Sequence, residues 1–187
     1  MPKKHSLGCG CCCVDKPMFA DDFSTVKDGY QKTADVFSVS VGRLVTSASA
    51  SCFRTVATGG TENLRIVVFA QVFDNFDSNA NVVGIFVGGI ACVYIERVAG
   101  NFRVKFGLGC DAYGNNPITV HDLIWPNGLG GGPKGNLTLT IENDWTNTGH
   151  LFVKAGGSYY GEYAAEVTAS IGSDINIGMM GDGQWDR

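Results

Sequence analysis

From Leu64 to Arg97 the chain reads LRIVVFAQVFDNFDSNANVVGIFVGGIACVYIER, three apolar arms separated by two turn-forming breaks. The first arm, Leu64 to Phe73, is almost wholly apolar and rich in Val, Ile and Phe, residues that pack well on a pleated, buried strand. The arms from Val82 to Val87 and from Ala91 to Arg97 have the same character. DNFDSNAN, between the first two, is made of turn formers. Gly88-Gly89 joins the second arm to the third and accepts positive φ without steric objection. The stretch is expected to form an antiparallel meander, its first arm covered on both faces as in the middle of a two-layer sandwich.

The flanking sequence adds sheet to this centre. VFSVSV within Asp35 to Val41 alternates apolar and polar residues, Gly42 turns the chain, and RLVTSAS returns. Further strands are expected at Ser51 to Ala57, Phe102 to Leu108, Ile118 to Trp125, Asn136 to Asn143, the HLFVKA segment from His150, and Ile175 to Met180. Cys110 to Asn116 and PNGLGGGPKG read as loops, and Tyr159 to Val167 suits either a short helix or a surface strand. Short strands at this spacing, with 26 glycines and only 17% charged residues, point to an all-β sandwich or barrel. A chain of 187 residues buries a core of sufficient size without disulfides.

Residues 1–17 differ from the rest and are read as a tail ahead of one domain spanning 18–187. The tail opens on MPKKHS and carries Cys9, Cys11, Cys12 and Cys13. Neighbouring cysteines bond each other only with strain, so this cluster is suited to reach another segment or another copy of the chain. Zinc is the competing use, with His5 as a fourth ligand type, but the spacing matches no structural zinc pair. Cys52, Cys92 and Cys110 lie singly in strand-like segments and read as small core residues. A formal charge of -4 leaves no basic stripe for nucleic acid, and no apolar run is long enough for a membrane span. No export signal is legible at the start. An extracellular, cell-surface or virion location is nevertheless the expectation.

MFADDFS, GRLVTSAS, the long apolar strand and NLTLTIENDWTNTGHLFVKAGGSYYG, in that order, resemble the concanavalin A-like jelly rolls of the laminin-G type. The resemblance implies a two-layer antiparallel sandwich in which a C-terminal strand returns beside the N-terminal one. The cysteine-rich start is similar to that of short bacterial or phage-associated surface proteins. The family resemblance also implies a calcium ion tying the chain ends, with Asp22, the Gly42 carbonyl and Asp186 in the matching positions. Asp74, Asp77 and Asn79 offer a second oxygen-rich ion site, although a solvated turn explains these residues without any ion.

Catalysis is not expected. The Glu-x-Asp-x-x-Glu run of glucanases with this fold is missing, Glu142 and Asp144 straddle the end of a strand, and neither His121 nor His150 has a nucleophile motif beside it. Trp125, Trp145, Tyr159 and Tyr160, with Tyr163 nearby, can stack on sugars or simply plug the ends of the sandwich. Asn136-Leu137-Thr138 is a formal glycosylation sequon. Two functions follow. The first is a non-catalytic subunit that assembles with copies of itself into a filament or surface polymer through the cysteine tail. The second is a lectin-like adhesin that binds glycans through the Trp and Tyr loops.

Overall fold

A computed structural model of the chain describes residues 30–33, 37–40, 43–46, 50–57, 65–72, 82–98, 101–124, 135–143, 150–157, 160–169, 173–181 and 184–185. In chain order the strands are β1 (Gln31–Lys32), β2 (Phe37–Ser40), β3 (Arg43–Thr46), β4 (Ala50–Ala57), β5 (Arg65–Val72), β6 (Val82–Val87) and β7 (Ala91–Val98). There follow β8 (Asn101–Leu108), β9 (Ile118–Ile124), β10 (Gly135–Asn143), β11 (His150–Gly157), β12 (Tyr160–Thr168), β13 (Asp174–Gly181) and β14 (Gln184–Trp185). They form two seven-stranded sheets, one ordered β1-β4-β13-β6-β7-β8-β9 and the other β12-β11-β10-β5-β14-β3-β2. Each strand pair is antiparallel. Among the described residues no helix is long and apolar enough to cross a membrane.

Alternation decides which side chains fill the space between the sheets. The first sheet contributes Cys52, Val83, Ile85, Val93, Ile95, Val104, Phe106, Ile175, Ile177 and Met179. The second answers with Ile66, Ala70, Leu137, Leu139, Ile141, Leu151, Val153 and Ala155. Full burial of a side chain such as Ile85 or Leu139 is worth about 1.5–3 kcal/mol relative to leaving it in water.

The meander from Leu64 to Arg97 does not form as expected. β5 lies in the second sheet, while β6 and β7 pair as a hairpin in the first, so the DNFDSNAN segment links the two layers. Nor is β5 covered on both faces, because Val67 is 53% and Phe69 51% exposed on its outer side. An unbroken apolar run does not reveal whether its alternate residues meet protein or water. The doubly covered strands are instead β6 and β7. Their outward-facing Phe86, Cys92 and Tyr94 join Phe53, Cys110 and Met180 in a second buried cluster on the far side of the first sheet. The turn between them is longer by one residue, with Gly88, Gly89 and Ile90 between the paired Val87 and Ala91.

Elsewhere the expected strands appear within a residue or two, except that of RLVTSAS only Arg43–Thr46 is strand and residues 47–49 lie outside the described residues. The ambiguous stretch after Tyr159 is strand β12, paired with β11. C-terminal strands return to the N-terminal part of the chain: β14 pairs with β3, and β13 is inserted between β4 and β6. The boundary placed at residue 17 lies outside the described residues.

Candidate functional site

The second buried cluster exists because the connection from β8 to β9 does not leave the sheet. Residues 109–117 fold back over the outer face of the first sheet, and hydrogen bonds fix the loop there. The Ser51 hydroxyl on β4 donates to the Tyr113 carbonyl at 2.6 Å. The Asn176 side-chain amide on β13 donates to the Ala112 carbonyl at 3.0 Å. The Gly89 amide in the β6–β7 turn donates to the Asp111 carbonyl at 3.0 Å.

Asp111 organises the loop from within. Its Oδ1 accepts the backbone amides of Tyr113 at 2.8 Å and Asn115 at 2.9 Å, and the Asn115 side-chain amide lies 3.4 Å from Oδ1 and 3.3 Å from Oδ2. Burial raises the Asp111 carboxyl, but the Asn115 and Tyr113 amides outweigh it and hold the group below the usual carboxylate range. Gly114 lets the loop descend onto the sheet. Its φ is +86°, and a Cβ there would stand 2.7 Å from the Phe86 ring and 2.8 Å from Met180 Sδ. Asn116, at φ 55°, carries the left-handed turn that leads to Pro117.

The result is a small polar and aromatic surface. The Tyr113 ring is 42% exposed and rests at 5.4 Å, tilted, on the buried Phe53. Beside it the loop exposes Asp111, Asn115 and Asn116. A line of side-chain hydrogen bonds leads to the loop from the sheet edge. Gln31 Nε2 donates to Thr55 Oγ1 at 3.2 Å, Thr55 Oγ1 donates to Asn176 Oδ1 at 2.8 Å, and Asn176 holds the Ala112 carbonyl. Beneath the loop, Cys92 and Cys110 are free thiols. The Cys92 thiol is pushed up, first by its hydrogen bond to Cys110 and then by burial, so it stays protonated. Cys52 and Cys92 are buried as the sequence suggests, although Cys92 packs under the loop and not between the sheets.

Most residues singled out from the sequence fall elsewhere. Cys9, Cys11, Cys12, Cys13, Asp22, Gly42, Asp74, Asp77, Asn79, Trp125, Trp145, Tyr159 and Asp186 lie outside the described residues. Tyr160 opens β12, opposite Gly157. Asn136 is half-buried on β10 opposite Gln71. Tyr163 is not part of an outer aromatic surface: it faces between the sheets, stacked on His121 at 4.2 Å and edge-on to Phe106 at 5.4 Å. Glu142 is ion-paired with Arg65 at 2.9 Å, and Asp144 lies outside the described residues. The sequence marks Cys110 to Asn116 as a loop but not as a docked, aromatic surface. Its signal is an Asp followed at short range by Tyr, Gly, Asn-Asn and Pro, a turn-rich run that nonetheless holds an aromatic ring.

The calcium ligands expected from the sequence, Asp22, Gly42, Asp74, Asp77, Asn79 and Asp186, lie outside the described residues. Among the described residues no three His, Cys, Asp or Glu side chains converge on a common point. In the loop, Asp111 Oδ1 is committed to N–H donors and the Tyr113 carbonyl to Ser51, whereas calcium needs six to eight oxygens.

The same two-sheet arrangement occurs in a Lotus tetragonolobus seed lectin, which superposes with a TM-score of 0.51 at 10% identity over 86% of this chain and 90% of that one. The fold is concanavalin A-like. The Emp47p carbohydrate recognition domain superposes with a TM-score of 0.46 at 15% identity, over 87% of this chain and 93% of that one. No protein-family model matches the sequence, and no curated protein matches it.

Proposed function

We propose that the protein binds carbohydrate, through the outer face of the first sheet at the 109–117 loop. The observation that carries this reading is the exposed Tyr113 ring held rigidly beside Asp111, Asn115 and Asn116. A sugar presents a flat C–H face and a rim of hydroxyls. The first suits a fixed aromatic ring, and the second suits a carboxylate that only accepts and amides that both donate and accept. The loop reaches this geometry through its own hydrogen bonds, so little ordering is left for binding to oppose. The likeness of the fold to lectin domains is consistent with the proposal. A polymer joined through Cys9, Cys11, Cys12 and Cys13 gains no support from the fold, and its join lies outside the described residues.

The test is a glycan array followed by titration calorimetry on the best ligand, with and without calcium and with and without reductant. Tyr113→Ala should abolish retention and leave thermal unfolding nearly unchanged. Loss on Trp145→Ala with Tyr113→Ala unaffected would move the site to the loops expected from the sequence. No glycan retained, with assemblies that dissolve in reductant, would replace this reading by the polymer.

A further inference from the structure

A second feature lies between the sheets and away from the loop. At one side of the sandwich both layers end in edge strands, β9 in the first sheet and β12 in the second. Between them is a cavity of about 310 Å³ lined by Val93, Val104, Phe106, His121, Leu123, Ala155, Glu162 and Tyr163. Its floor is core: Val93 is 0%, Val104 5%, Phe106 2% and Ala155 3% exposed. Its wall is the parallel pair of His121 and Tyr163, with an interplanar angle of 12°.

We infer that this cleft is a binding site for a small, flat, largely apolar molecule of one or two fused rings with at most one polar group. Size sets the upper bound, because small-molecule pockets begin at roughly 300 Å³. Chemistry sets the rest. Of the eight lining residues only His121, Glu162 and Tyr163 bring polar side-chain atoms. Tyr163 already directs its hydroxyl toward the Val120 carbonyl at 3.5 Å, and Glu162 sits 3.8 Å from Lys154 Nζ. A sugar would leave most of its hydroxyls without partners here, so the cleft is no second glycan site. Val93, Val104, Phe106, Leu123 and Ala155 give such a guest a mainly apolar surface to cover. The facing rings of His121, Tyr163 and Phe106 offer stacked and edge contacts that an aliphatic chain could not use.

Indole is the probe, followed by methyl NMR of the valines in the intact chain. Val93 and Val104 methyl resonances should move upfield and saturate at one indole per chain. Ala155→Leu fills the floor, and should abolish those shifts while raising the thermal midpoint. His121→Ala removes half of the wall and should weaken indole binding about tenfold, a readout that holds if the leucine variant fails to fold. The proposal is overturned if indole leaves both valines unmoved up to its solubility, if His121→Ala binds as tightly as the parent, or if a monosaccharide shifts the same methyls. Tyr113→Ala should leave indole binding intact, which separates this site from the sugar face.

Discussion

The hydroxyl of Ser51 and the carbonyl of Tyr113 are 62 residues apart in sequence and 2.6 Å apart in space. Ser51 is itself 1% exposed, the one buried polar residue among the described core, and its backbone amide is taken by Thr33 Oγ1 at 2.8 Å. A single hydroxyl thus ties β4 to the loop that carries the proposed site. Ser51→Ala leaves the Tyr113 carbonyl without that donor. Chemical denaturation should show a loss of about 1–3 kcal/mol, and glycan retention should fall with it.

Asp111 makes the loop sensitive to acid. Its carboxyl is lower in the folded chain than in the unfolded one, so its stabilisation is complete above the ordinary carboxylate value of about 3.9. That contribution is lost as pH falls through the lower folded value. Amide exchange at Tyr113 and Asn115 should accelerate in that acid window. In Asp111→Asn, which keeps an acceptor oxygen but cannot titrate, exchange there should show no such step.

Gly178 faces Phe53 across the β13–β4 pair. A Cβ at this position would stand 2.6 Å from Phe53 Cα and closer still to the Cys52 carbonyl, both of them backbone. Backbone in a paired strand cannot move aside as a flexible side chain would. Gly178→Ala is expected to destabilise by about 1–3 kcal/mol or more, read as a lower urea midpoint.

The two faces of the second sheet should respond differently to substitution. Leu139 is fully buried, and Leu139→Ala should cost about 2–5 kcal/mol. Phe69 is 51% exposed, and Phe69→Thr should change stability by no more than about 0.5 kcal/mol. Equal losses at both positions would mean that something covers the outer face of β5 in solution.

That contrast marks what the sequence made legible. Period-two alternation at Asn136 to Asn143 and at Phe102 to Leu108 located β10 and β8, because one face of each strand meets the core and the chain records it. From Ile66 to Ala70 every position is apolar, so alternation is silent there and the pattern cannot tell a face that meets protein from one that meets water. The cover lies over β6 and β7, and it comes from a loop rich in Gly, Asn, Asp and Pro with no apolar run of its own. Hydrophobic pattern cannot announce a loop that docks by hydrogen bonds to Ser51 and Asn176, since those partners are distant in sequence. Trp125 and Trp145 stand out in the sequence as aromatic residues beside turns. The same criterion applies to Tyr113, which precedes Gly114, Asn115, Asn116 and Pro117. Tyr163 failed it because a strand position, and not a loop, fixes where that ring points.

The placement of β13 has a consequence for synthesis. This strand completes the first sheet by bonding β4 on one edge and β6 on the other. Until Asp174 to Gly181 has been made, both of those edges are unpaired, and so are the inner faces that Ile175, Ile177 and Met179 will cover. A growing chain therefore cannot finish this layer in the order it is translated. Hairpins such as β6–β7 and β10–β11 can form early, but the sandwich closes only in a late, long-range step. Stalled or truncated products ending before Asp174 would expose two adhesive strand edges to one another, and a holding chaperone would find its substrate there.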